Sequence, residues 1–105
     1  MVPVGRLDDI VPLSGRCVKT AGGEIGVFRT ADNRVFAIEN RCPHKGGPLS
    51  EGIVHGTSVT CPLHNMVISL SSGAIEGPEE GGVKTIPCEV REGVIFLGLP
   101  AQKAA

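Results

Sequence analysis

Cys42-Pro43-His44-Lys45-Gly46-Gly47-Pro48-Leu49 and Cys61-Pro62-Leu63-His64-Asn65-Met66 are the two stretches around which the 105-residue chain has to be read. Together they spell C-x-H-x16-C-x2-H. Each stretch offers one thiolate and one imidazole from a short segment stiffened by proline. A zinc finger groups its ligands differently, a cysteine pair followed by a histidine pair, with the histidines usually on a helix. One ligand of each kind per segment suits a dinuclear iron site better, with two sulfurs on one iron and two nitrogens on the other. The same four groups can also hold Zn²⁺ tetrahedrally, so a structural zinc site remains a rival. A Cys–His nucleophilic pair leaves two of the four residues without a role.

Working outward, Gly46, Gly47 and Gly56 allow close backbone approach or a sharp turn, and Pro43 and Pro62 reduce the entropy lost on ordering the segments. Gly77-Pro78 is a candidate third loop over the site. Short runs of β-branched and other apolar residues surround this region. Strands are expected at Val2–Arg6, Arg16–Thr20, Glu24–Arg29, Arg34–Glu39, Thr57–Cys61, Met66–Leu70, Val83–Thr85, Cys88–Arg91 and Val94–Leu99. Turn signals divide them at Ala21-Gly22-Gly23, Asp32-Asn33, His55-Gly56, Ser72-Gly73 and Glu92-Gly93. No long segment has a 3.6-residue apolar period, and Asp8-Asp9-Ile10 suits one short turn. The expected fold is all-β and antiparallel, a sandwich or partly open barrel. Residues 1–105 suit a single domain. Its base would be 1–39 and 83–105, with a loop-rich insert over about 40–82 that holds all three histidines.

Composition narrows the function. Net charge is −1, which gives no polybasic footprint for nucleic acid. Trp and Tyr are absent and there are three Phe, too few for a base-stacking platform. The start M-V-P-V-G-R-L-D-D-I does not read as a signal peptide, and no apolar run approaches the roughly 18 residues of a membrane span. A cytoplasmic location without a membrane partner is therefore expected. There, four cysteines point to metal ligands or buried thiols rather than disulfides. Cys17 and Cys88, in apolar strands, are expected as buried thiols, and His55 as an exposed turn residue. Lys45 and the pair Glu79-Glu80 are expected on solvated loops.

At C-P-H-K-G-G-P-L-S-E-G-I-V-H-G, V-T-C-P-L-H-N-M-V-I-S-L and G-P-E-E-G-G-V-K-T-I-P the chain resembles the Rieske [2Fe–2S] ferredoxin family. Within it, the likeness is nearest to the small subunits of assimilatory NAD(P)H-dependent nitrite reductases. The resemblance implies a Rieske-type antiparallel β sandwich with a small cluster-binding subdomain. It implies a [2Fe–2S] cluster on Cys42, His44, Cys61 and His64, and one-electron transfer without catalysis by the isolated chain. It also implies a partner, a large subunit bearing FAD, a [4Fe–4S] cluster and sirohaem, that reduces nitrite to ammonia. A free ferredoxin serving a ring-hydroxylating dioxygenase is the alternative, and a zinc-stabilised module without redox role the next. High-potential members carry an inter-loop disulfide and sulfur-directed Ser and Tyr hydroxyls. The matching residues here are Gly47, Leu63, Met66 and Ile68. The potential is therefore expected toward the lower part of the Rieske range of about −150 to +300 mV.

Overall fold

In a computed structural model, residues 2–20, 23–41, 48–61, 66–76 and 81–98 are described. Among these residues ten strands follow one another: β1 Val2–Arg6, β2 Ser14–Thr20, β3 Gly23–Arg29, β4 Val35–Glu39, β5 Ile53–His55, β6 Ser58–Thr60, β7 Val67–Ser69, β8 Thr85–Ile86, β9 Cys88–Arg91 and β10 Val94–Leu97. The helical residues among those described are two single 3₁₀ turns, Leu7–Asp9 and Leu49–Glu51. The first follows β1, where a turn was expected from Asp8-Asp9-Ile10. All strand pairs are antiparallel. They build three sheets, in the orders β1-β10-β9, β2-β3-β4-β8 and β5-β6-β7.

The four-stranded sheet is the wall between two apolar cores. Along β4, Val35 and Ala37 join the core that contains Ile95 and Leu97 of β10. The alternate residues Phe36 and Ile38 join the core that contains Val54, Val59 and Ile68 of the β5-β6-β7 sheet. β3 divides in the same way: Ile25 and Val27 serve the first core, Phe28 the second. Side chains on a strand alternate between faces, so a strand with both faces covered reads as an unbroken apolar run. The ring of fully buried Phe28 lies over two glycines of the same sheet. A Cβ on Gly15 or on Gly26 would come within 2.7 Å of that ring.

Turn chemistry agrees with the sequence at several points. Asn33 (φ 67°) sits in the connection from β3 to β4, and Glu92 and Gly93 (φ 51° and 80°) make the tight turn from β9 to β10. Pro3 lies in edge strand β1, where the β1–β10 register shifts between Pro3 and Gly5. Three strand expectations need correction. β5 was not anticipated. The expected strand Val83–Thr85 is displaced to Thr85–Ile86, because the Val83 amide donates to the Gly73 carbonyl (2.8 Å) instead of to β4. The last strand ends at Leu97, and the Gly98 amide turns to the Pro87 carbonyl (2.7 Å). Leu99 and the tail 102–105 lie outside the described residues. No helix among the described residues is long and apolar enough to cross a membrane.

Candidate metal centre

Cys61 is the one expected ligand with a described position. It follows β6 directly, and its residue is fully buried. The β6–β7 ladder pairs Thr60 with Val67, and the Cys61 amide then donates to the Met66 carbonyl at 2.7 Å. The C-x2-H segment therefore leaves and rejoins the sheet at two hydrogen-bonded neighbours, and four residues connect them. Cys61 belongs to the same apolar cluster as Leu49, Val59 and Met66. A cysteine shielded from water among apolar neighbours suits an iron–sulfur ligand, because burial and dielectric are among the levers that set such a centre's potential. Cys42, His44 and His64 lie outside the described residues, as do Pro43, Lys45, Gly46, Gly47, Pro62, Leu63, Asn65 and the segment Gly77–Glu80.

The described flanks show how the segments are anchored. The C-x-H segment departs from β4 after Glu39 and Asn40 and returns through Pro48 into the 3₁₀ turn Leu49–Glu51. Leu49 is fully buried. The turn is closed by the Gly52 amide donating to the Leu49 carbonyl (2.9 Å). Gly52 then passes so near β6 that a Cβ there would stand 2.2 Å from the Thr60 carbonyl oxygen. The return of the first segment is thereby pressed onto the residue that precedes Cys61. A third connection runs from β7 to β8. In it, Gly73 (φ 79°) accepts from Val83, and the Glu76 amide donates to the Val67 carbonyl (2.8 Å). A Cβ on Gly73 would lie 2.2 Å from the Val83 carbonyl oxygen, so this crossing also requires glycine. Buried Ser58 donates its hydroxyl to the Glu76 carboxylate and ties that connection to β6.

Other residues singled out in the sequence fall as follows. His55 is exposed beside Gly56 (φ 58°), with Nε2 2.7 Å from the Thr60 hydroxyl. Cys17 and Cys88 are half-buried rather than buried, which corrects the expectation for both. The Cys17 thiol donates to the Glu24 carboxylate (3.4 Å). Burial first, and that hydrogen bond second, push it up. Cys88 lies against the core that contains Ile95 and Leu97, called the base core below, where its thiol donates to the Val35 carbonyl (3.2 Å) and burial pushes it up as well. Met66 is buried in the same cluster as Cys61. Asn40 and Gly52 were missed as anchoring residues. The signal available was their position, just outside the first ligand segment at its two ends.

Comparison with known proteins agrees with this arrangement. A family model described as a Rieske-like [2Fe-2S] domain matches residues 1–98. The anthranilate 1,2-dioxygenase ferredoxin subunit of Burkholderia cepacia is 33% identical over 99 residues, 92% of this chain and 90% of its own length. The ferredoxin of carbazole 1,9a-dioxygenase from Nocardioides aromaticivorans IC177 superposes with a TM-score of 0.81 at 28% identity, covering 92% of this chain and 97% of its own. A Mycobacterium tuberculosis protein described as the small subunit of an NADH-dependent nitrite reductase does so with a TM-score of 0.83 at 26% identity, covering 91% of each chain. The curated relatives that head the matches are longer proteins, of which this chain spans 20–27%. The all-β architecture, the buried cysteine on its strand end and the match over residues 1–98 make this chain a member of the Rieske-like [2Fe–2S] family, an electron-transfer domain.

Proposed function

We propose that Cys42 and Cys61 hold one iron of the cluster and His44 and His64 the other, and that the chain passes single electrons as the small subunit of an NAD(P)H-dependent nitrite reductase. The observation that carries the ligand reading is Cys61, fully buried at a strand end with its amide bonded to Met66 across the C-x2-H segment. When bound, the cluster supplies reversible one-electron redox chemistry. The chain's own residues supply ligands, an apolar wall on the Cys61 side and a rigid seat for both segments. Mixed ligation leaves the oxidised centre with a formal charge of about zero against about −2 for four thiolates, which eases electron uptake. In this reading residues 1–105 form one domain, with base 1–39 and 83–105 and a cluster-binding part over about 40–82, and the protein is cytoplasmic.

The nitrite reductase assignment is supported by Lys45, Asn65 and the G-P-E-E-G-G segment at 77–82, and by the Mycobacterium tuberculosis neighbour. The partner would be a large subunit with FAD, a [4Fe–4S] cluster and sirohaem. The two dioxygenase ferredoxins favour a second reading, in which the same cluster serves a ring-hydroxylating oxygenase. Analysis of the purified protein should find about two irons and matching acid-labile sulfide per chain, and the dithionite-reduced protein should give a paramagnetic resonance spectrum with a mean g value below that of an all-thiolate centre. A colourless zinc protein would refute the ligand reading. Affinity purification from the native cell separates the two partners: a sirohaem protein supports the first, an oxygenase the second.

A further inference from the structure

Asn40 is a polar side chain with only 6% of its surface exposed, two residues before Cys42. Buried amides persist where each group is satisfied, and here the partners lie on both sides of the first ligand segment. The Asn40 backbone amide donates to the Glu24 carbonyl (3.0 Å) and its side-chain Nδ2 to the Glu24 carboxylate (3.4 Å), which fixes the departing end to β3. Its Oδ1 accepts from the Ser50 amide at 2.7 Å, which fixes the returning end. The Ser50 amide is one of the first-turn donors that a 3₁₀ turn leaves without an acceptor of its own. The space for this carboxamide is prepared by glycine, since a Cβ on Gly26 would lie 3.4 Å from Asn40 Oδ1.

We propose that Asn40 is a positioning residue for the cluster: its single carboxamide sets the separation between the two ends of the segment bearing Cys42 and His44, and thereby sets how long the cluster is retained. The proposal rests on the ligand reading above. Part of the free energy of metal binding is spent on ordering the ligands, and ends already held at a fixed separation reduce that cost. The requirement is for an acceptor of asparagine length. Aspartate keeps it once Glu24 is made glutamine, whose amide then donates in place of Asn40 Nδ2 and avoids two facing carboxylates; serine falls short of Ser50, and alanine removes it, leaving the amide of Ser50 unsatisfied.

The test uses the holoprotein well below its unfolding temperature. Cluster loss is followed as bleaching of visible absorbance under an iron chelator, together with the linewidth of the reduced paramagnetic spectrum. Asn40→Ala should bleach at least tenfold faster than the unsubstituted protein and give a broadened spectrum. Asn40→Asp combined with Glu24→Gln, which restores a donor facing the new carboxylate, should stay within threefold. Thr30→Ala removes a buried hydroxyl from the β3–β4 turn, bonded to Asp32 and Arg34. It should lower the unfolding temperature yet bleach at the original rate. Should Asn40→Ala fail to accumulate, Asn40→Ser takes its place with the same expectation. Equal bleaching in Asn40→Ala and Thr30→Ala, or the combined Asn40→Asp, Glu24→Gln protein bleaching as fast as Asn40→Ala, overturns the role of Asn40 alone. An unsubstituted protein without colour or reduced signal overturns the ligand reading and this proposal together.

Discussion

Gly52 concentrates into one position the demand that two chain segments meet backbone to backbone. A methyl group there would need to displace the Thr60 carbonyl, and Thr60 is held in the β6 ladder on both sides, against Ile53 and Val67. Gly52→Ala should therefore cost about 1–3 kcal/mol, the usual range for overpacking. Iron content should fall more than far-ultraviolet ellipticity, because the strain falls beside Cys61. A second residue-level expectation concerns Cys88. Its thiol ordinarily titrates at 9.0, and burial raises that value in the folded chain, partly offset by the Ala37 amide. A raised folded value means that the native state holds the proton more tightly than the unfolded chain does. The stability it contributes is complete below the ordinary thiol value and is lost as pH rises through the folded one. Thermal unfolding followed above pH 9 should thus decline less steeply in Cys88→Val than in the unsubstituted protein. Parallel curves would contradict it.

At the level of elements, β3 and β4 decide what each half of the molecule feels. Ile38 points into the core shared with Cys61, whereas Ile95 of β10 packs into the base core on the other side of the wall. Both are buried, and truncation to alanine should cost each about 2–5 kcal/mol. Cluster retention should separate them: Ile38→Ala is expected to shed iron faster under chelation, and Ile95→Ala to hold it until global unfolding. Equal rates of iron loss would contradict the division of the cores. Much of this layout was readable beforehand. Val2–Arg6 and Cys88–Arg91 match the observed bounds of β1 and β9, and the turns at Asn33, Gly56, Gly73 and Gly93 coincide with positive φ. The two-sided role of β4 was hidden because V-F-A-I is apolar at every step, so its alternation leaves no trace in polarity. β5 was missed for a related reason. Ile53 and His55 are exposed, Val54 alone is buried, and three residues carry no pattern without β6 beside them. The C-x-H and C-x2-H motifs stood out in the sequence as candidate ligands, but which side chains anchor the ends of those segments depends on contacts between residues far apart in sequence, as between Asn40 and Glu24.

For the molecule as a whole, the proposed division into a base and a cluster-binding part implies different responses to loss of metal. Base strands β1, β9 and β10 pack against the wall sheet through Ile95, Leu97 and their neighbours and need no ligand residue to do so. The β5-β6-β7 sheet has three strands of three residues each, and one of them ends at Thr60, immediately before Cys61. Stripping iron with a chelator and a reductant should therefore accelerate amide hydrogen exchange in β5–β7 well before it does so in β2, β3 and β10. Uniform acceleration across all ten strands would argue that the metal supports the entire fold. The wall sheet also limits what can be transplanted. Because alternate residues of β3 and β4 belong to opposite cores, a graft taking only residues 40–82 would leave behind Phe28, Phe36, Ile38 and Val83, about a third of the lining of its own interior. An engineer seeking a portable redox module from this chain would have to carry β3 and β4 along and redesign their other face for its new host.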